Sequence, residues 1–386
     1  MVETSTQGAF RVDPSRGRSD DRVSAQWASR PDDQRFLSLS ALHDAVMARA
    51  GASRGEVLDT GAIRLLPGGG EDGLALAWVG TVAEPTHWAF GQVAALSGAP
   101  ASWLRRLPPG LAALNLRYGL ASRPAERVQA YVSGSGELRA MTGPQYGRVH
   151  DHELVSAVMR LAGDGTGDAP WKVPGVLDWR TMAHNPHVDV TRETTTLYAS
   201  DRDVFLFLVD DTRPIEAGRL PDGSPDLYFR GFYCWNSEVG AATLGIATFY
   251  LRAVCQNRTL WGVEQFREVS FRHTRFAPDR FAREVAPALA ALAQAGTAPF
   301  AEGVAAARTR VLARTDEDRG AFLRALGIPA AQAQRMLAQA LAEERRPPET
   351  AFEFVQAITA AARLEPHQDR RVGLERVAGR LLARAA

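Results

Sequence analysis

The chain has 386 residues, of which 45% are hydrophobic, and its 45 Lys and Arg residues nearly balance its 44 Asp and Glu residues. That length allows about two or three domains with a sizeable core, and the balanced charge excludes a whole-chain electrostatic attraction to nucleic acid or membrane. Lys172 is the only lysine, so 44 of the basic residues are arginines. Abundant Arg, Ala and Gly are typical of a GC-rich genome, so only local clusters of arginine can indicate a binding site.

The cysteines limit the compartment in which the protein works. Cys234 and Cys255 lie 21 residues apart and form no Cys-x-x-Cys pair, which excludes a disulfide framework and a cysteine zinc site. The N-terminus is polar, without the apolar core of a signal peptide, and no apolar run approaches the roughly 18 residues that a membrane span needs. The sequence therefore predicts a cytoplasmic protein without a membrane partner.

The first part of the chain divides into two predicted regions. Residues 1–35 mix arginines and acidic residues with Ser, Thr, Gly and Gln, and we expect a disordered lead. The second region, 36–125, begins with FLSLSALHDAVMARA, where Ser40 is expected to cap a helix. Two strand-like runs follow, joined by GGGEDG at 68–73. This loop matches the dinucleotide-binding pattern G-x-G-x-x-G, but a strand-like run follows it instead of a helix, so it predicts a hairpin.

Later in the second region, FGQVAALSGAPASWLRRL resembles a helix-turn-helix. Ala94 is small where the helices would cross, Gly98 suits the bend, and Leu104 would be a core position. The second helix would then present its polar face to a major groove. The side chains on that face are Ser102, Arg105 and Arg106. Because this helix arrangement is also common without DNA, the segment alone does not decide the function.

The remaining chain predicts the fold class. Residues 126–285 form a β-rich third region, in which long apolar runs are typical of buried strands. The stretch FYCWNSEVGAATLGIATFYLRAVCQN is expected to be a central strand pair. Residues 286–386 are rich in alanine and are predicted to be helical. The predicted fold is α+β, with a central, mostly antiparallel sheet, flanking helices and a helical C-terminal third.

Arginine and aromatic residues are interleaved in the segment RTLWGVEQFREVSFRHTRFAPDRFAR, at 258–283. Guanidinium groups neutralise phosphates, and flat aromatic faces stack on bases of any identity. The pattern favours a nucleic-acid-binding surface, although a strand with a solvated charged face would look similar. The residues predicted to contact phosphate are Arg258, Arg267, Arg272 and Arg275, and the predicted stacking residues are Trp261 and Phe271.

Two histidine clusters could carry chemistry: HDHE, at 150–153, and HNPHVD, at 184–189. The spacing H-x-x-H-x-D could hold a divalent metal ion if its side chains converge, with Glu153 or Glu238 completing a hydrolytic site. The candidate metal ligands are His184, His187 and Asp189. No phosphate-binding loop or HExxH motif is present, and no cofactor is predicted.

Four stretches together resemble the DUF932 family of phage/plasmid-like proteins: LYASDRDVFLFLVDD, FYCWNSEVGAATLGIATFYLRAVCQN, FREVSFRHT and HQDRRVGLERVAGRLL. The resemblance covers most of residues 36–386, and the pattern NSEVG…L…C.N is its most specific part. The family has no established activity, and its members occur on phages, plasmids and bacterial chromosomes. The resemblance implies a mobile-element context, in which single-stranded DNA is handled during replication, transfer or recombination, and it supplies no catalytic residues.

We therefore expect a non-enzymatic DNA-binding protein that favours single strands. Two alternatives stay open: a metal-dependent nuclease or other hydrolase built on the second histidine cluster, and a helix-turn-helix regulator of duplex DNA. A structural protein of a mobile element would fit the same composition. Self-association into a homo-oligomer is compatible with each of these hypotheses.

Overall fold

The computed structural model describes residues 31–69, 73–166, 169–173, 177–178, 183–184, 190–192, 195–220, 223–252, 258–259, 269–294, 298–364 and 368–385. The strands are β1 (Arg35–Phe36), β2 (Ser53–Asp59), β3 (Arg64–Pro67), β4 (Leu74–Trp78), β5 (Thr81–Pro85), β6 (Arg127–Ser133), β7 (Glu137–Thr142), β8 (Trp171–Lys172), β9 (Leu177–Asp178), β10 (Ala183–His184), β11 (Leu197–Ala199), β12 (Val204–Arg219), β13 (Pro225–Asn236), β14 (Leu244–Arg252), β15 (Arg258–Thr259) and β16 (Val269–Phe271). The helices are α1 (Leu39–Gly51), α2 (His87–Ser97), α3 (Ala101–Leu104), α4 (Pro109–Ala121), α5 (Asp151–Ala162), α6 (Ala277–Arg280), α7 (Ala286–Gln294), α8 (Ala298–Thr309), α9 (Asp316–Ala325), α10 (Ala330–Glu344), α11 (Ala351–Leu364) and α12 (Gln368–Ala385).

The strands form two main sheets and a small β9–β10 ribbon. The larger sheet has the order β1-β11-β12-β13-β14-β15, with β16 also paired to β14 and β8 to β12, and its pairings are antiparallel. The N-terminal sheet has the order β2-β6-β7-β5-β4-β3, in which only the β5–β7 pairing is parallel. This architecture confirms the predicted α+β class. The predicted domain boundary after residue 125 is wrong, because β6 and β7 belong to the N-terminal sheet.

The centre of the larger sheet is buried on both faces. Val204, Leu206 and Leu208 of β12 belong to the core that includes α1 and α5. On the opposite face, the ring of Phe205 stacks 5.7 Å from the ring of Tyr233 in β13. Because both faces are covered, the strand sequence is continuously apolar instead of alternating. The β13–β14 pair confirms the predicted central strand pair.

The start of the described chain differs in detail from the prediction. Ser38, and not Ser40, caps α1, and its hydroxyl accepts a hydrogen bond from the Ala41 N–H at 3.1 Å. The Ser40 hydroxyl instead donates to Asp164 at 2.7 Å. The strand β1 already pairs with β11, so regular structure begins within the predicted lead. The rest of that lead, residues 1–30, lies outside the described residues.

The glycine-rich segment after β3 closes a hairpin, as predicted. Pro67 pairs with Leu74, and the Gly68 N–H donates to the carbonyl of Gly73 at 3.1 Å. The strand β4 follows directly where a dinucleotide-binding motif would need a helix.

The C-terminal helices pack on the outer part of the larger sheet. The ring of Tyr250 in β14 stacks 3.8 Å from the ring of Phe300 in α8, and both side chains belong to the core that α8 to α12 share with β12 and β13. Helical structure begins at Ala277, before the predicted start at residue 286. No helix within the described ranges combines the length and apolar character needed to cross a bilayer.

The loop that follows β13 lies against the N-terminal sheet and its helix α2. The carbonyl of Val239 accepts hydrogen bonds from the indole of Trp88 at 3.1 Å and from the side chain of Gln92 at 2.9 Å. The Gln92 carbonyl oxygen in turn accepts from the N–H of Met141 in β7 at 2.8 Å. These bonds hold the residues after β13 against α2, which is itself bonded to β7.

Candidate nucleic-acid interface

An open groove lies between the end of α1, strands β2 and β6, and the start of α5. Its volume is about 470 Å³. The described lining residues include no carboxylate, so an anionic ligand would meet no like charge from them. Its polar lining residues are Ser53, Gln129, Tyr131, Arg148, His150 and His152.

A buried ion pair joins the two sheets beside this groove. Arg139 of β7 and Glu238, which follows β13, lie 2.6 Å apart, and their side chains are only 1% and 2% exposed. Burial alone would raise the pKa of Glu238, but hydrogen bonds and charges from His150 and Arg139 outweigh it and lower the pKa to about 2. Glu238 is therefore ionised at neutral pH, and its charge is offset inside the protein.

His150 connects this ion pair to the groove. Its backbone N–H donates to the Glu153 carboxylate at 2.7 Å, which satisfies one of the free donors at the start of α5. Its Nδ1 lies 3.2 Å from the Glu238 carboxylate. The ring of His152 stacks on the His150 ring with centroids 5.5 Å apart. Burial lowers the pKa of His152, and His150 lowers it further, so His152 is mainly neutral at pH 7.

The carboxyl group of Asp151 lies fully buried next to the same ion pair. The Asn236 side chain donates to it at 2.8 Å and to the Val149 carbonyl at 2.9 Å. Burial raises the pKa of Asp151 well above its usual range, and the nearby Glu238 carboxylate raises it further. Asp151 therefore contributes less negative charge to the surroundings of the groove than its residue type would indicate.

Arg148 supplies the positive charge of the groove wall. Its guanidinium lies 4.0 Å from the centroid of the Tyr131 ring and 5.2 Å from that of Tyr146, and it also donates to the Glu238 carbonyl. Burial lowers the pKa of Arg148, although an arginine remains charged at neutral pH. Contacts with two aromatic rings hold the cation in a fixed position on the wall.

The residues of the predicted basic segment that follow β16 pair with the stretch of chain that carries Arg148. Tyr146 forms an isolated antiparallel bridge with Thr274, and the Gly147 N–H donates to the His273 carbonyl at 3.3 Å. The rings of Tyr146 and His273 stack with centroids 5.0 Å apart. This pairing brings the residues after β16 next to the groove wall, which the sequence alone could not show.

The residues next to this pairing include exposed cationic and aromatic side chains. Arg272 and Arg275 are both exposed, and neither has an ion pair in the part of the chain that the structure describes. The Arg275 guanidinium lies 4.5 Å from the ring centroid of Phe276, whose side chain is 52% exposed. Arg275 and Phe276 thus form a small surface on which a base can stack beside a charge that attracts phosphate.

The other residues predicted to bind nucleic acid in this segment are either buried or not fully described. Phe271 was predicted to stack on bases, but this is wrong, because it is 5% exposed and packs in the core beneath α5 and α7. Arg258 lies in β15, for which only the backbone is described. Trp261 and Arg267 lie outside the described residues.

The helix-turn-helix prediction fails at its second helix. α3 is a single turn of four residues, which is too short to lie along a major groove, and the longer helix α4 follows it. Gly98 does accept the bend, with a φ of 75°. Arg105 is half-buried, donates to the His87 carbonyl at 2.6 Å and lies 4.8 Å from the ring centroid of Phe90, whereas Arg106 is exposed.

The structure describes the side chain of none of the three predicted metal ligands. His187 and Asp189 lie outside the described residues, and only the backbone of His184 is described, in β10. The two acids that were expected to complete the metal site are engaged elsewhere, Glu153 at the start of α5 and Glu238 in the ion pair. Among described residues, no three His, Cys, Asp or Glu side chains converge in a way that could hold a metal ion.

Some residues of the candidate site were not predicted, although the sequence carries a signal for one of them. Arg139 is a charged residue inside an apolar strand, and such a residue usually has a buried partner. Phe276 lies beyond the end of β16 at Phe271, so strand alternation gives no signal for its exposure. The contribution of Arg148 and Tyr131 depends on contacts across the fold and has no local signal.

Comparisons with known proteins identify no relative. No family model matches the chain, and neither a curated protein nor a solved structure matches it. The resemblance to the DUF932 family therefore stays a prediction.

Proposed function

We propose that this protein binds single-stranded nucleic acid, and single-stranded DNA in particular. The observation that carries the proposal is the pairing of Tyr146 with Thr274, because it joins exposed Arg272, Arg275 and Phe276 to the groove wall at Arg148. A strand of nucleotides lying along this surface, the Arg148–Phe276 surface, would meet cations and one free aromatic face in succession.

The charge balance of this surface supports an anionic ligand. Glu238 is offset by Arg139, the pKa of Asp151 is raised, and no carboxylate is among the described residues that line the groove. Within the described ranges, Arg148, Arg272 and Arg275 form no ion pair with an acidic side chain. Phosphates that approach them would release condensed counterions, which is the main source of sequence-independent affinity.

The shape of the surface favours a single strand over a duplex. A base can stack on the ring of Phe276 only if it is not already stacked inside a double helix. The helix-turn-helix alternative is weakened, because the predicted reading helix is a single turn and Arg105 is bonded within the protein.

The metal-dependent hydrolase stays a prediction that depends on His184, His187 and Asp189. Elemental analysis together with a cleavage assay in Mg²⁺ or Mn²⁺ tests it, and it fails if neither bound metal nor cleavage is found. A mobile-element role in replication, transfer or recombination is part of the proposal and is supported by the DUF932 resemblance alone.

The binding proposal is tested by fluorescence anisotropy with a labelled oligo(dT) of about 20 nucleotides, at several salt concentrations. We expect salt-dependent binding that exceeds binding to a duplex of equal length. The double variant R272A/R275A should bind more weakly, with a slope of log affinity against log salt that is smaller by roughly 1.4, since each lost contact removes about 0.7. Arg335→Ala, an exposed arginine of α10, is the matched control. Absence of salt-dependent binding even at low ionic strength overturns the proposal.

A further inference from the structure

The helical C-terminal region carries a second groove, which the proposed function does not use. It lies among the residues that follow α8, the end of α9, the start of α11 and the last turns of α12, and its volume is about 380 Å³. Leu312, Phe322, Leu326 and Val377 form its apolar floor, and each is only partly covered where it packs on the helical core. A groove of this volume lies within the size range of ligand-binding sites.

The floor is fixed by packing beneath it. The ring of Phe322 lies 4.8 Å from the ring of Phe354, which is completely buried in α11. The main chain on either side of the groove is also tied, because Val311 bridges to Thr350 at the start of α11. The groove is therefore formed without any movement of the chain, so a ligand would not need to reorganise it.

Three arginines surround the mouth of this groove. Arg380 and Arg384 lie four residues apart on one face of α12, and Arg310 donates to the backbone carbonyl of Arg384 at 2.5 Å. No Asp or Glu lines the groove, and these three guanidiniums have no ion pair among the residues that the structure describes. Like charges around one groove repel one another, and a ligand with carboxylates would relieve that repulsion.

A neighbouring groove shows what neutralised arginines look like in this fold. It has a volume of about 310 Å³ and is also lined by three arginines. Each of them has a carboxylate partner in the chain itself: Arg219 with Glu216, Arg308 with Asp226, and Arg346 with Glu353. Within the described part of the chain, the arginines around the first groove have no such carboxylate partner, so carboxylates of a ligand could pair with them.

We propose that the groove bounded by Arg310, Arg380 and Arg384 binds an acidic peptide segment of a partner protein. Carboxylates of the peptide would contact the arginine rim, and one large apolar side chain would cover the floor at Phe322 and Val377. A nucleic acid could satisfy the rim through its phosphates, but it would leave the aliphatic part of the floor uncovered. The combination of acidic and apolar groups is therefore favoured over phosphate alone.

The test is a selection of random 12-residue peptides displayed on phage against the full-length protein, counter-selected against R380A/R384A. We expect the retained peptides to carry about three or more Asp or Glu residues and a Leu, Ile or Phe. The strongest peptide, synthesised with a fluorescent label, should bind R380A/R384A roughly three- to thirtyfold more weakly, as expected for two exposed ion pairs. Arg380 and Arg384 are exposed, so the variant should fold like the wild-type protein.

A second variant tests the shape of the groove without changing its charge. Ala325 lines the groove and is exposed at the end of α9, so Ala325→Trp fills the groove while all three arginines remain. This variant should lose peptide binding, whereas Arg219→Ala, in the neutralised groove, should change the affinity by less than about twofold. The proposal is overturned if no acidic peptides are enriched, or if Ala325→Trp binds the selected peptide normally.

Binding of oligo(dT) by the same variants distinguishes this proposal from the nucleic-acid one. R380A/R384A should bind oligo(dT) as the wild-type protein does, because these residues are not part of the Arg148–Phe276 surface. A loss of oligo(dT) binding without a loss of peptide binding would assign the C-terminal groove to nucleic acid and overturn the peptide proposal. Failure of oligo(dT) binding in every form leaves the peptide result unaffected.

Discussion

Arg139 and Glu238 form an ion pair between two separate sheets, with 2.6 Å between their charged atoms and almost no exposure to solvent. Removing water from two charges is expensive, and the pair offsets this only because each partner is present. The pair also positions His150, through the second oxygen of Glu238, at the wall of the groove. The candidate interface therefore depends on a contact that is itself out of reach of any ligand.

We expect Glu238→Ala to lower the free energy of unfolding by about 3–5 kcal/mol, because Arg139 would remain charged and buried without a partner. The double variant R139M/E238L leaves no unpaired charge and should lose less. Urea denaturation measures both values. Arg54→Ala is the control, since its ion pair with Glu56 at 2.7 Å is partly exposed and should contribute no more than about 1 kcal/mol. Equal losses in Glu238→Ala and Arg54→Ala would show that the buried pair has no special role.

The stability of the protein should fall as the pH decreases below about 6.5. Burial lowers the pKa of His273 from its usual 6.5 to about 4, so between these values the unfolded chain binds a proton that the folded protein does not. The contribution of His273 to the free energy of unfolding should therefore decrease by up to about 3 kcal/mol across that range. The pKa of Glu238 is lowered from 4.5 to about 2, so Glu238 loses its contribution to stability as the pH falls between these two values.

His273→Gln should flatten the upper part of this profile, above about pH 5, where carboxylates of ordinary pKa do not yet titrate. The pKa of Asp151 is raised, so Asp151 acts in the opposite direction, but it does so in both wild type and variant and cancels from the comparison. The measurement is urea denaturation of wild type and variant at a series of pH values. His152, whose pKa is also lowered, contributes in the same direction, so His152→Gln is measured alongside. Identical profiles for wild type and His273→Gln would contradict the assignment.

Phe271 and Phe276 of the basic segment should respond in opposite ways to truncation. Phe276→Ala should weaken oligo(dT) binding by about 1–3 kcal/mol and leave the fold intact, because an exposed ring contributes by stacking on a base. Phe271→Ala should instead destabilise the protein by about 3–5 kcal/mol, since it leaves a cavity in the core. Anisotropy and urea denaturation measure the two effects. Tyr118→Ala is the control for loss of an exposed ring, because Tyr118 is 74% exposed on α4.

The sequence predicted those parts of the fold that depend on local pattern. The apolar run of β12 predicted a strand buried on both faces, and the glycines after β3 predicted a hairpin, because both follow from the properties of neighbouring residues. The Arg139–Glu238 pair could not be predicted in this way, since it depends on how two sheets meet. Phe271 shows a third case, in which residue type indicated stacking but the alternation of a short strand decided its burial.

Gly147 provides the last prediction, because it allows the two halves of the Arg148–Phe276 surface to approach. A Cβ atom at this position would overlap the backbone carbonyl of Thr274, which cannot move aside as a flexible side chain could. Gly147→Ala should therefore separate the two segments, disturb the stacking of Tyr146 on His273 and weaken oligo(dT) binding. Gly143→Ala is the matched control, since nothing lies within 4 Å of its added Cβ. If Gly147→Ala binds oligo(dT) and unfolds in urea as Gly143→Ala does, the close pairing of these segments is not what forms the binding surface.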